Sequence, residues 1–123
     1  MNLLEEEPTR AGTVSEICLD KVDPSDRIVI ETRNSLYQFS VMDANQRRGV
    51  LSGGPLSEGI RDAVLMGTLS SESGSFKVNH LSLRTNARAF FFIKSSDGVE
   101  RLITSAITSL TLIKSDLGTP SFI

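Results

Sequence analysis

The chain is poor in the residues from which active sites are usually built. Its 123 residues include one histidine, His80, one cysteine, Cys18, and no tryptophan. A lone cysteine excludes an internal disulfide and suits a reducing compartment. A lone histidine leaves no His/Cys cluster at metal-ligand spacing, and no serine is flanked by the glycines of a nucleophile elbow. General acid–base and nucleophilic catalysis need a titratable group held beside an activator, so the inventory points away from an enzyme and implies no cofactor and no metal. A small hydrolase would have to find a water-activating pair around His80 or Glu31. His80, beside Asn79, reads instead as an ordinary strand residue, and Cys18, between Ile17 and Leu19, as a small apolar one.

Long hydrophobic runs are also missing. The longest, Ala89-Phe90-Phe91-Phe92-Ile93, is five residues, far short of the roughly 20 that a membrane helix needs. The first residues carry Glu5, Glu6 and Glu7 where a signal peptide wants basic residues, so a cytoplasmic location and no membrane partner are expected. The net charge of −2 hides an asymmetry. Residues 1–26 hold two Lys/Arg against seven Asp/Glu, a balance of −5, and residues 27–101 hold ten against seven, a balance of +3. The body is only weakly basic, less so than most nucleic-acid binders.

What the chain does have is strand pattern. Residues 27–33 place Ile28 and Ile30 on one face, and residues 36–42 place Tyr37, Phe39 and Val41 on one face with Gln38 and Ser40 on the other. Further strands are expected over residues 14–19, 46–51, 63–69, 76–83 and 87–93, the last two paired across Arg84-Thr85-Asn86. Asp23-Pro24-Ser25-Asp26, Asp43-Ala44-Asn45-Gln46, Ser52-Gly53-Gly54-Pro55 and Ser95-Ser96-Asp97-Gly98 supply turns. Two stretches also fit a helical face, residues 57–66 and 99–113. The β-branched density of the second, and Gly67 as a bulge or close approach after the first, favour strands, with residues 99–113 split near Ser105. The expectation is a flexible acidic leader over residues 1–13, then a single all-β domain over residues 14–123, a small antiparallel barrel or sandwich of about eight strands.

Three segments, Glu31-Thr32-Arg33-Asn34-Ser35-Leu36-Tyr37-Gln38-Phe39, Gly53-Gly54 and Ile103-Thr104-Ser105-Ala106-Ile107-Thr108-Ser109-Leu110, together resemble a family of short bacterial proteins of uncharacterised function. The resemblance covers residues 25–113 and implies a small β-barrel-like fold. It implies no activity and no cofactor.

Two functions from different classes fit this inventory. The first is a non-enzymatic β-barrel interaction module that binds a protein partner or itself through an apolar strand or open sheet edge. The second is a single-stranded nucleic-acid-binding barrel, with Arg33, Arg47, Arg48, Arg84 and Arg88 on one basic face near Tyr37 and the phenylalanines. The candidate binding residues are Arg33, Asn34, Tyr37, Arg47, Arg48, Arg84 and Arg88. Turn chemistry is the favoured account of the polar cluster from Glu31 to Tyr37, ahead of a recognition surface, and Ser52-Gly53-Gly54-Pro55 reads as a turn more readily than as an anion nest. Because Phe90, Phe91 and Phe92 are consecutive, at least one faces away from its neighbours, and core packing on both sides is the simplest expectation.

Overall fold

Alternation of apolar and polar side chains makes the first hairpin. In the computed structural model, which describes residues 10–54, 56–72 and 75–115, β3 (Arg27–Thr32) and β4 (Leu36–Asp43) pair antiparallel, Ile30 opposite Tyr37 and Ile28 opposite Phe39. Ile28, Ile30, Tyr37, Phe39 and Val41 all point inward and are buried. The hairpin turn is closed by Thr32, whose hydroxyl oxygen accepts the backbone N–H groups of Asn34 at 3.3 Å and Ser35 at 3.1 Å. A short hydroxyl side chain satisfies turn donors that the ladder cannot reach.

The hairpin belongs to a closed six-stranded antiparallel barrel. Around the ring run β3, β4, β5 (Arg48–Gly53), β6 (Leu56–Glu72), β9 (Arg88–Ser95) and β10 (Gly98–Lys114), which returns to β3. The barrel of the expected barrel-or-sandwich pair is therefore the architecture. β6 and β10 are each 17 residues long and serve several neighbours in succession. Beyond the ring, β1 (Arg10–Val14) pairs with the end of β10 and β7 (Ser75–Asn79) with the end of β6. A separate two-stranded sheet, β2 (Glu16–Cys18) with β8 (Ser82–Arg84), and a 3-10 turn, Leu19–Lys21, add Ile17, Leu19 and Leu83 to the same core. At its centre Phe39 from β4 meets Phe91 from β9, ring centroids 5.5 Å apart and tilted by 57°, a geometry that aromatic pairs favour.

Several expectations change. Of the expected leader, residues 1–9 lie outside the described residues, and Arg10–Val14 form β1. The helical alternatives for residues 57–66 and 99–113 are replaced by the two long strands. The expected break near Ser105 is a bulge: the β9–β10 register shifts between Ile103 and Ala106, and β10 continues by changing partner from β9 to β3. Residues 76–83 do not form one strand paired with β9. They divide between β7, paired with β6, and β8, paired with β2. Gly67 helps explain the division. It sits at φ +130°, and a Cβ there would lie 2.0 Å from the Asn79 carbonyl oxygen, so β7, paired with β6 along its length, ends where the Asn79 carbonyl packs against Gly67. The Asn79 side chain then accepts the Leu81 N–H at 2.8 Å and turns the chain toward β8.

Candidate binding face

The outward residues of β9 are Arg88, Phe90, Phe92 and Lys94, because Ala89, Phe91 and Ile93 fill the interior. Phe91 is 0% exposed, whereas Phe90 and Phe92 are half-buried and tilted against each other at 5.3 Å. Core packing on both sides of this strand is thus corrected: a barrel strand has one interior face, and a triple phenylalanine must put two rings on the other side when the middle one points in. Register then assembles a surface. Arg48 on β5 lies opposite Val64 on β6, Val64 opposite Phe92, and Phe92 opposite Arg101 on β10. Beside that row, Phe90 faces Ile103 and Lys94 faces Val99. Ile103 is 41% exposed and Val99 68%. The result is an apolar strip with cations at its margins. Arg48, Val64, Phe92, Lys94 and Val99, with Asp62, line an open groove of about 450 Å³.

None of Arg48, Arg88, Lys94 and Arg101 forms an ion pair among the described residues. The opposite pattern holds on another side of the barrel. Asp26, 1% exposed, accepts the Lys114 Nζ at 2.6 Å and the backbone N–H groups of Asp23 at 2.8 Å and Ser115 at 3.1 Å. Burial alone would lower the Lys114 ammonium, but hydrogen bonds and charge from Asp26 and Asp23 outweigh it and hold the group above its ordinary value. Nearby, Asp20, Asp23 and Asp43 line a polar groove together with Arg47.

A second place where cations gather is the β10 bulge. Arg33 and Asn34 from the β3–β4 turn, Arg88 from β9, and Ile103, Thr104, Ser105 and Ala106 from β10 line a polar groove of about 350 Å³ that contains no acidic residue. Its floor is braced from both sides. The Arg33 N–H donates to the Ala106 carbonyl at 3.3 Å, Asn34 Nδ2 to Ser105 Oγ at 2.8 Å, and Thr108 Oγ1 to the Glu31 carbonyl at 3.0 Å. Thr104, buried, accepts the Ala89 N–H at 3.0 Å and donates to the Ser105 carbonyl at 2.7 Å. Bulges of this kind re-aim side chains and recur beside binding sites.

The seven residues singled out from sequence therefore separate. Arg33, Asn34 and Arg88 come together at the bulge, and Arg48 belongs to the apolar strip, where its row partner Phe92 is four residues along β9 from Arg88, about 13 Å. Tyr37 is 4% exposed and cannot stack on a ligand. Its ring lies over Gly54, where a Cβ would come within 2.3 Å of it, and burial raises its phenol above the ordinary value despite a hydrogen bond with Ser35 that acts the other way. Arg47 is a structural tie: its guanidinium bonds Asp20 Oδ1 at 2.9 Å and the His80 carbonyl. Arg84 lies 3.7 Å from Glu16 on β2. A single face of five arginines is not what the chain builds. Lys94, Arg101, Val64, Val99 and Ile103 were missed by sequence reasoning. The two-residue alternation of Arg88, Phe90, Phe92 and Lys94 was a signal for the strip, but the cross-strand register that completes it has no local signature.

His80 follows β7 in an exposed bend, with Nδ1 2.9 Å from the Met66 carbonyl oxygen, rather than standing within a strand. Cys18 is in β2 but exposed. Among the described residues no group of three or more His, Cys, Asp or Glu is placed to hold a metal, and no helix is long and apolar enough to cross a membrane. No family model, no curated protein and no solved structure matches this chain.

Proposed function

We propose that this protein is a non-enzymatic β-barrel interaction module whose partner is a protein segment carrying apolar side chains set among carboxylates. The observation that carries this reading is the row Arg48, Val64, Phe92, Arg101 with Phe90, Ile103 and Val99 beside it: an outward apolar strip whose cations have no ion-pair partner among the described residues. An apolar centre with a charged rim is the anatomy of a protein interface, and the rim here carries Arg48, Lys94 and Arg101 against Asp62. A partner with acidic groups around an apolar anchor complements both parts. A cytoplasmic setting belongs to the same proposal, since the exposed thiol of Cys18 suits a reducing compartment.

One feature favours a second reading. A ring between two guanidinium groups also suits a single-stranded nucleic acid, with a base on Phe92 and phosphates at Arg48 and Arg101. The net charge of −2 weighs against it.

Selection of displayed random peptides on the immobilised protein tests the choice. Enriched peptides should combine leucine or aromatic residues with aspartate or glutamate, and Phe92→Ser should abolish the enrichment. No enrichment, or enrichment indifferent to Phe92→Ser, would overturn the proposal. Salt-sensitive retention on single-stranded oligonucleotides that Phe92→Ser abolishes would replace it with the second reading. Concentration-dependent dimerisation lost in that variant would make a second copy the occupant instead.

A further inference from the structure

The groove at the β10 bulge does not belong to the apolar strip, and its chemistry is different. Two guanidinium groups, Arg33 and Arg88, line it without an ion-pair partner among the described residues, and no carboxylate lines it to neutralise them. The neutral donors are oriented toward one need. Asn34 spends one Nδ2 hydrogen on Ser105 Oγ, which leaves its second amide hydrogen and the Ser105 hydroxyl proton to donate. The frame that holds them is fixed before any ligand arrives, by the Arg33 to Ala106, Thr108 to Glu31 and Thr104 to Ala89 and Ser105 hydrogen bonds. Such a site offers hydrogen-bond donors and two positive charges and takes an oxyanion with several acceptor oxygens. Planar guanidinium forks match oxyanions bidentately, and the Asn34 amide, already held on Ser105, loses little freedom on binding.

The geometry points to a phosphate-binding site in the groove lined by Arg33, Asn34, Arg88 and Ser105. The phosphate is a monoester or inorganic dianion, or the diester of a single nucleic-acid strand. It carries no dependence on the protein-docking proposal, because the residues it needs are not those of the Arg48, Val64, Phe92, Arg101 row.

The test is a nitrogen-15 NMR titration of the full chain at low salt with three probes, inorganic phosphate, adenosine monophosphate and a short oligothymidylate, and with acetate at matched ionic strength as control. Shifts should concentrate on the amides of residues 33, 34, 88 and 105 and on the Arg33 and Arg88 side chains. Arg33→Ala or Arg88→Ala should each weaken phosphate binding roughly tenfold and the pair roughly a hundredfold, the usual scale for a charge-assisted hydrogen bond. Lysine at both positions should recover part of the loss by restoring charge without the fork. Arginine stays charged throughout, so affinity for the monoester should rise with pH through the ligand's second ionisation near about pH 6. Oligothymidylate, which has no second ionisation, should bind without that rise. Tighter binding of the first two probes identifies a free phosphate ligand, and tighter binding of the third identifies a strand. Acetate binding as well as phosphate would overturn the site, as would affinity unchanged in the double alanine variant with its remaining amide spectrum intact.

Discussion

Two charged regions of this barrel contain similar residues and do opposite things with them. Around Asp26 the buried charge is answered internally: the carboxylate takes Lys114 and two backbone N–H groups, and nearby Arg47 is tied to Asp20. On β9 and its neighbours, Arg48, Arg88, Lys94 and Arg101 have no ion-pair partner among the described residues. A charge engaged within the fold is part of the fold, because removing one member strands the other in a poorly solvated place. A charge left free costs little to remove and retains its donors for something outside the chain. Partnership, more than residue type, separates structural from functional arginines here. It is why Arg47 leaves the candidate list while Arg101 joins it.

The largest effect should come from the internally satisfied region. Asp26→Ala removes three acceptor contacts at once and leaves Lys114 with Asp23 and the Lys21 carbonyl. We expect a loss of about 3 kcal/mol in urea unfolding, within the range for breaking a buried charged network. A loss below about 0.5 kcal/mol would erase the contrast between the two regions.

An intermediate effect should appear with alkali, and it has a definite sign. Lys114 is raised above its ordinary value of 10.5, and Tyr37 above 10.0. A group that binds its proton more tightly when folded contributes stability that is fully present below the unfolded value and is lost as pH climbs through the folded one. The urea midpoint should therefore fall from about pH 10 upward, and Lys114→Met should flatten part of that fall. Tyr37 is the single tyrosine, so tyrosinate absorbance reports it without ambiguity. Ionisation at or below the ordinary tyrosine value would contradict the buried ring over Gly54.

How much of this was legible in the sequence depends on distance along the chain. The alternation of Tyr37, Phe39 and Val41 placed β4, and the Asp23-Pro24-Ser25-Asp26 turn was readable from composition, because both are local patterns. The closure of the ring was not. Ser105 looks like a break, yet β10 runs through it by shifting register and changing neighbours, whereas Gly67 is the bulge and close approach that its place in a strand pattern suggests. Alternation put Tyr37 on the inward face with Phe39 and Val41, where it is buried, and only the polar residues before it recommended it as a contact; nothing near it says that Gly54 will lie beneath its ring. The bulge groove joins Asn34 to Ser105 across 71 residues, so the sequence could nominate Arg33, Asn34 and Arg88 but could not bring them together. Glu31, Arg33, Asn34, Tyr37, Gly54, Ser105, Ala106 and Thr108 make the contacts that hold the β3–β4 turn to β5 and β10.

A smaller effect on stability, with a large one on binding, is expected from Phe92→Ser. The ring is half-buried and lies outside the interior, so its loss should cost about 1 kcal/mol, well under the 3–5 kcal/mol usual for a core phenylalanine such as Phe91. Urea midpoints for Phe92→Ser and Phe91→Ala, measured side by side, check the difference. Equal losses would mean that Phe92 packs as core and that the outer strip is not a free surface.

The smallest effects belong to the free cations and complete the comparison with Asp26. Arg48→Ala and Arg101→Ala break no ion pair among the described residues, and each should move stability by no more than about 0.5 kcal/mol. The row sets both guanidinium groups on the same strip three strand spacings apart, about 14 Å, so their mutual repulsion is weak and acts on the folded state alone. The double variant measured at low and high salt reads this directly. Its midpoint should exceed the wild type's most at low ionic strength and converge on it as the Debye length shortens. A double variant clearly less stable than wild type at low salt would show that these arginines hold the barrel together, and the face they flank would lose its claim to a partner.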